Sequence, residues 1–181
     1  ITDNETSNAE WTQITSEAGC YVSNNASSVN QYGILYNWYA ATDARNIAPE
    51  GWHVPTDDDW KTLESYLGMP DEDLDGSNHR GSNEGRKLKS ATDWSGWSLQ
   101  DSSEFVGTDE WGFSAKPTPY RYGTNGYFYS MSSMGDLVNY WTSTTYNSSE
   151  AISRSLYWGE VDIDRDIEDK RSGFSIRCVK N

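Results

Sequence analysis

The stretch Pro55-Thr-Asp-Asp-Asp-Trp60 carries the strongest local structural signal in this chain, because it predicts where a helix begins. Thr56 is a favourable N-cap residue, and Asp59, three positions later, completes a short-side-chain version of the capping box. Acidic residues in the first turn also interact favourably with the helix dipole. We therefore interpret this acidic cluster as a helix start rather than as a catalytic group.

The helix that follows this start is predicted to be amphipathic. Trp60, Leu63 and Leu67 recur at the spacing of one buried face, and Gly68 is a typical residue just past a helix end. Upstream, bulky residues recur at helical spacing within 33–42, which predicts a second helix from Gly33 to Thr42. Two helices are thus expected in the first half of the chain.

The second half of the chain carries strand patterns. Residues 151–163 place apolar side chains between polar ones, which predicts paired strands with one wet face, and residues 174–179 alternate as in an ordered C-terminal strand. Early helices followed by many strands indicate an α+β fold, with two helices packed on a twisted antiparallel sheet. We expect one domain overall, made of an N-terminal arm with short strands (1–31) and a main body (32–181).

Composition excludes several classes of function. The chain has 181 residues and a formal net charge of -14, and so anionic a surface repels the phosphates of nucleic acids and acidic lipid headgroups. No apolar run approaches the ~20 residues needed to cross a bilayer, so we expect no membrane insertion of this segment. Nine Trp and twelve Tyr argue against disorder, because they supply large buried area.

The two cysteines allow two interpretations. Cys20 and Cys178 lie near opposite ends of the chain, and they are either two unrelated buried thiols or one disulfide that ties the arm to the last strand. The sequence alone does not choose between these alternatives.

The C-terminal third carries the candidate binding residues. Asp162, Asp164 and Asp166 alternate, so they share one face of a strand, and nearby arginines would offset their repulsion. A solvated strand face is one interpretation; a ligand-contacting surface with aromatic anchors is the other, because Trp, Tyr and Arg dominate binding hot spots. The predicted ligand-binding set is Tyr146, Asn147, Arg154, Tyr157, Trp158, Glu160, Asp162, Asp164, Arg165 and Asp166.

A calcium loop is also suggested by the pattern Asp71-Glu-Asp-Leu-Asp-Gly76. Asp71, Asp73 and Asp75 around a glycine turn would supply the carboxylates that a hard cation needs. The twelfth loop position holds Ser82 where a bidentate glutamate belongs, so a solvated acidic loop is the alternative. No other cofactor is indicated: the two histidines lack metal-binding spacing, and no nucleophile or phosphate-binding motif is present.

Five blocks, in order, resemble a known family. They are Tyr32-Gly-Ile-Leu-Tyr-Asn-Trp-Tyr-Ala-Ala41, Ala48-Pro-Glu-Gly-Trp-His-Val-Pro-Thr56, Gly112-Phe-Ser-Ala115, Tyr140-Trp-Thr-Ser-Thr144 and Gly173-Phe-Ser-Ile-Arg-Cys-Val-Lys180. Over residues 20–180 the chain resembles the Fibrobacter succinogenes major paralogous domain, a family of extracytoplasmic bacterial modules often found in lipoproteins. Cys20 and Cys178 match cysteines often seen in that family.

The resemblance implies a fold and a place of action. The family is similar to C-type-lectin-like folds, which implies a C-type-lectin-like domain with long loops. It also implies a location outside the cytoplasm, either at the cell surface through a lipoprotein signal lying outside this sequence, or secreted. The related formylglycine-generating enzymes need two nearby redox cysteines, whereas the two cysteines here are far apart in the sequence, so we do not expect that oxidase activity.

We therefore predict a non-enzymatic, adhesin-like surface domain that binds a protein or glycan. Some related proteins are variable proteins of diversity-generating retroelements, and Tyr146–Ser172 is similar to their hypervariable region; a near-copy of the coding segment beside a reverse-transcriptase gene would test this. The alternatives are a glycan-active hydrolase or divergent oxidase, and a structural pilus-tip or surface-assembly module.

Overall fold

The computed structural model describes residues 7–94, 105–129 and 137–181, and it confirms the predicted α+β class. Its helices are α1 (Asn8–Trp11), α2 (Val29–Tyr32), α3 (Trp38–Ala41), α4 (Asp57–Leu67) and α5 (Glu84–Leu88), with 3-10 turns at Val22–Asn24 and Ala26–Ser28. Its strands are β1 (Gly19–Tyr21), β2 (Ile34–Tyr36), β3 (Trp52–His53), β4 (Asn78–Arg80), β5 (Leu137–Thr145), β6 (Glu150–Tyr157), β7 (Ile163–Asp169) and β8 (Val179–Lys180).

The main sheet is antiparallel, with strand order β4-β7-β6-β5. Its register decides which side chains share a face, because residues opposite each other in a ladder point to the same side. Ser155 lies opposite Asp164, whereas Arg154 lies opposite Arg165. We call the side of Ser155 and Asp164 the acidic face and the side of Arg154 the core face.

Helix α4 covers the core face and begins as the sequence predicts. The Thr56 side chain accepts a hydrogen bond from the Asp59 N–H, the Asp59 carboxylate accepts one from the Thr56 N–H, and Gly68 adopts a left-handed conformation at the C-cap. Trp60 is buried and packs on Tyr140 of β5, with ring centroids 5.8 Å apart. Local capping and the apolar stripe were therefore sufficient to predict this element.

The predicted helix over Gly33–Thr42 is wrong. Ile34–Tyr36 is instead a strand paired with Gly19–Tyr21, and the helix that follows is a single turn, Trp38–Ala41. The side-chain Oδ1 of Asn37 accepts hydrogen bonds from the Ala40 and Ala18 N–H groups, which caps that turn and joins it to the arm. Pairing with a distant strand thus prevailed over the local helical spacing.

Two strand predictions are also corrected. The strand β6 is buried from Ala151 to Leu156 rather than having a wet face, because helix α4 covers one side and an apolar cluster that includes Trp141 and Phe174 packs around Ala151 on the other. The C-terminal segment makes isolated bridges at Gly173–Ser175 and becomes a strand again only at β8, which pairs with β3.

The N-terminal arm contains the predicted short strand β1 and, in addition, the capped helix α1; residues 1–6 of the predicted arm lie outside the described residues. Trp11 is fully buried and stacks under the guanidinium of Arg121, 4.5 Å from its ring centroid. Cys20 is buried and Cys178 is half-buried, and no disulfide joins them. Within the described ranges, no helix combines the length and apolarity needed to span a membrane.

Candidate functional site

The candidate site lies on the acidic face of the main sheet. Asp164, Asp166 and Glu168 alternate along β7 and therefore point to this face, as the sequence predicts for the first two. Beside them on β6, the Ser155 hydroxyl lies 3.0 Å from Asp166 Oδ2 and 2.5 Å from Asn139 Oδ1. A row of carboxylates is thus set against small polar side chains.

The loop between β6 and β7 extends this row, and helix α5 holds the loop in place. A Cβ on Gly85 would lie 1.8 Å from the Asp162 carbonyl oxygen, so only glycine permits so close a packing. The Arg86 N–H donates to the Val161 carbonyl at 2.9 Å. The buried Lys89 ammonium donates to the carbonyl of Tyr157 at the end of β6 and to those of Trp158 and Glu160 in the loop.

A cleft of about 380 Å³ opens between this loop, β4 and Tyr129. Tyr129, Tyr157 and Trp158 line it as half-buried aromatic side chains. Trp158 is steadied by an edge-to-face contact with Phe105, 6.2 Å between ring centroids. The other residues that line the cleft are His79, Gly159, Glu160 and Asp164. The cleft therefore combines aromatic rings with carboxylates and one imidazole.

His79 enters the cleft from strand β4, where it lies opposite Asp164. Its Nδ1 atom is 2.8 Å from Asp164 Oδ1 and 3.5 Å from Asp162 Oδ1. The ligand atoms offered by His79, Glu160 and Asp162 all lie within 4.8 Å of one another. Among the residues that the structure describes, this is where side chains of metal-binding type converge.

Burial dominates the electrostatics of the acidic face. Desolvation raises the pKa of Asp164 to about 6, with a further increase from Asp166 that His79 partly offsets. Desolvation and the charge of Asp166 raise the pKa of Glu168 to about 7. The carboxylate of Asp164 raises the pKa of His79 in turn. The row thus holds protons at pH values where ordinary carboxyl groups are ionised.

Arg154 and Arg165, predicted as ligand-binding residues, do not reach this cleft. Both point to the core face: Arg154 is fully buried and pairs with Glu64 at 2.5 Å and Asp57 at 2.9 Å. Arg165 makes a two-pronged contact with Asp57, at 3.0 and 2.9 Å. The alternation of β6 and β7 separates these guanidinium groups from the acids next to them in sequence.

Tyr146 and Asn147 lie in the turn between β5 and β6, at the other end of the hairpin from the cleft. Tyr146 is 58% exposed. Asn147 uses its amide within the turn, since its Oδ1 accepts from the Ser149 and Glu150 N–H groups. The predicted set is therefore divided: Tyr157, Trp158, Glu160, Asp162, Asp164 and Asp166 share one face, and the other four do not.

The predicted calcium loop is not assembled. Asp71, Asp73 and Asp75 lie on a turn, and within the described ranges their carboxylates do not form a group of converging ligand atoms. Asp75 is instead paired with Lys61 at 2.5 Å. In this structure the three acids at EF-hand spacing thus lie on a turn with one ion pair to helix α4.

Several residues of the site were not predicted from the sequence. His79 lies in a segment expected to be a loop, and it becomes part of a strand only through pairing with β7, which is remote in sequence. Tyr129 and Lys89 carry no local pattern that marks them. Glu64 lies on the core face rather than in the site, and its burial could have been predicted, because it lies four residues after Trp60, at the helical spacing of the buried face.

The blocks that carry the family resemblance meet in the folded chain. The Trp141 indole donates to the Tyr36 carbonyl at 2.9 Å, and Trp141 shares a buried cluster with Val54 and Phe174. The model of the Fibrobacter succinogenes major domain matches residues 1–180. The chain belongs to this family. The match includes the N-terminal arm, and membership of the Fibrobacter succinogenes major domain family is consistent with a surface domain.

Searches of curated proteins and of solved structures found no significant match to the chain. Family membership therefore rests on the domain model, and the candidate site rests on the geometry described above.

Proposed function

We propose that this chain is a non-catalytic ligand-binding module that acts outside the bacterial cytoplasm, with a C-type-lectin-like scaffold that presents the cleft on the acidic face. The observation that carries the proposal is the cleft itself, in which Tyr129, Tyr157 and Trp158 lie beside Glu160. Of the two ligand classes expected from the sequence, a glycan fits it better than a flat protein surface, because the site is concave.

The chemistry of the cleft suits a sugar. An aromatic ring offers a flat apolar surface to the C–H groups of a pyranose, and an adjacent carboxylate accepts hydrogen bonds from its hydroxyl groups. A volume of about 380 Å³ falls in the range of small-molecule sites and can hold one or two sugar rings.

The scaffold keeps the cleft in place before a ligand arrives. Lys89 and the tight packing at Gly85 fix the loop backbone, and strand pairing fixes His79. A preformed site loses less conformational entropy on binding, so few contacts are sufficient for useful affinity. If the sequence of Tyr146–Ser172 varies between related proteins, we expect the substitutions to fall in the exposed β5–β6 turn and in the cleft loop. Substitutions within Ala151–Leu156 would disturb the fold, because that stretch is buried.

A glycan and protein array with the purified domain tests the proposal. We expect Trp158→Ala and Glu160→Gln each to weaken capture of the selected ligand at least tenfold, because both side chains line the cleft. Trp111→Ala is the matched control: Trp111 is 55% exposed and packs on Tyr66, outside the cleft. Equal loss in the control, or unfolding of both cleft variants seen by circular dichroism, would contradict the proposed site.

A glycan hydrolase is the second candidate, and the raised pKa of Asp164, about 6, is the observation that favours it. A carboxyl group protonated near neutral pH is what a glycosidase uses as its general acid. The Asp164 side chain is only 8% exposed, however, and its Oδ1 lies 2.8 Å from His79 Nδ1, so we place this candidate second. Release of reducing ends from a captured glycan would make the hydrolase the first candidate and the binding module the second.

A further inference from the structure

We propose that His79, Glu160, Asp162 and Asp164 form a binding site for a divalent first-row transition-metal ion, of which Zn²⁺ and Mn²⁺ are the probes. This site is separate from the acidic loop at Asp71–Gly76 that the sequence suggested for calcium. It goes beyond the proposed ligand binding, since a metal ion alone occupies it and the glycan is not required.

Convergence of the ligand atoms is the first argument. The atoms offered by His79, Glu160 and Asp162 lie within 4.8 Å of one another, and the Asp164 Oδ1 lies 2.8 Å from the His79 Nδ1. Ligands of one ion at ~2.0–2.2 Å from the metal are separated by ~3–3.5 Å from each other. Small rotations of the His79 and Glu160 side chains, both exposed, are sufficient to close the group.

Unsatisfied carboxylate oxygens are the second, independent argument. Asp162 Oδ1 and Asp164 Oδ1 are both buried, and the single N–H that His79 Nδ1 can offer, 3.5 Å from the first and 2.8 Å from the second, satisfies only one of them at a time. The Asp164 side chain is only 8% exposed. A buried polar oxygen without a partner costs ~1–3 kcal/mol, and native structures keep few of them without a reason. A cation placed between these two oxygens and the imidazole satisfies both.

Rigidity of the surrounding backbone supports the site. Asp162 is fixed by the packing of its carbonyl on Gly85, and Asp164 and His79 are fixed opposite each other in adjacent strands. The Lys89 ammonium lies behind the loop, where it donates to the Glu160 carbonyl and leaves the carboxylates free to turn toward the cleft. The side chain of His79, 57% exposed, leaves a path for an ion from solvent.

The mixture of donors selects the class of metal. One imidazole nitrogen with carboxylate oxygens suits Zn²⁺, Mn²⁺ and similar ions. Calcium prefers six to eight oxygen ligands and rarely uses imidazole, so it fits this set less well.

Isothermal titration of the chelator-treated chain with Zn²⁺, Mn²⁺ and Ca²⁺ at pH 7.5 tests the site. We expect one equivalent of a transition ion to bind, and His79→Gln and Asp162→Asn each to weaken it at least tenfold. His53→Gln and Asp73→Asn are the matched controls, because they remove the same side-chain types outside the cleft. We expect both controls to bind as the unmodified chain does, and the melting temperature of the unmodified chain to rise with metal.

The proposal is overturned if no stoichiometric binding occurs, if Ca²⁺ binds as tightly as Zn²⁺ and Mn²⁺, or if the controls lose binding as much as the cleft variants. Asp162→Asn keeps the size of the side chain and removes its charge, so it reports on the metal rather than on folding. Glycan capture measured in EDTA separates the two proposals, since loss of metal binding alone leaves the sugar-stacking rings unchanged.

Discussion

Burial of the Glu168 carboxyl group makes the stability of the fold depend on pH. Its pKa is raised to about 7 by desolvation and by Asp166, whereas it returns to about 4.5 when the chain unfolds. Below pH ~4.5 both states carry the proton and nothing is lost. Between pH ~4.5 and ~7 the unfolded chain loses this proton while the folded chain keeps it, so the stability of the folded state falls across that range and levels off above it.

We expect Glu168→Gln to be more stable than the unmodified chain at pH 8, by at most ~2–3 kcal/mol, and equally stable at pH 4. Urea unfolding at the two pH values measures the difference. Glu50→Gln, at an exposed position, serves as the control and should change neither value. A stabilisation of the Glu168 variant that is the same at both pH values would show that the carboxyl is not the cause.

Helix α5 is the element that positions the cleft loop, and Gly85 is the point of contact. An added Cβ would lie 1.8 Å from the Asp162 carbonyl oxygen, so the helix and the loop must separate. We expect Gly85→Ala to lower the free energy of unfolding by ~1–3 kcal/mol and to weaken ligand capture in the cleft.

Gly159 in the same loop provides the matched control for this change. A Cβ there would have nothing within 4 Å, so Gly159→Ala should alter the free energy of unfolding by less than ~0.5 kcal/mol. Chemical denaturation of the two variants compares them directly. A tolerated alanine at Gly85 would mean that the loop does not depend on α5.

The elements also differ in how far local sequence predicts them. Helix α4 needs only its own residues, since Thr56 starts it, Gly68 ends it and Trp60 packs it on the sheet. The strands β2 and β4 exist because of partners far along the chain. Their short sequences carry too little periodic signal to be recognised alone.

Across the whole molecule, the main sheet separates the acidic face from a core face on which arginines pair with Asp57 and Glu64. Arginine side chains of β4, β6 and β7 lie on the core face, and the acids of β7 lie on the other. Charges of Arg154 and Arg80 lower the pKa of Asp166 from across the sheet, against the larger effect of burial. Arg154, predicted to bind ligand, thus supports the acidic face from behind.

Glu64 is the centre of this buried layer. It is fully buried and pairs with Arg80 at 2.8 Å and Arg154 at 2.5 Å. Removing one partner of a buried ion pair leaves unbalanced charge in a low-dielectric interior, so we expect Glu64→Ala to cost ~3–5 kcal/mol. Thermal and urea unfolding measure the loss, with Glu72→Ala on an exposed turn as the control. A cost below ~1 kcal/mol would contradict the structural role of the cluster.

Residue types, spacing and charge were enough to determine the α+β class, the bounds of α4, the family, and the acidic row of β7, because each depends on neighbours in sequence. Folding decided that Arg154 and Arg165 face inward, that Asp71, Asp73 and Asp75 do not converge, and that His79 meets Asp164. These outcomes depend on which strands pair and in what register, and a shift of one residue in that register would send every side chain to the opposite face.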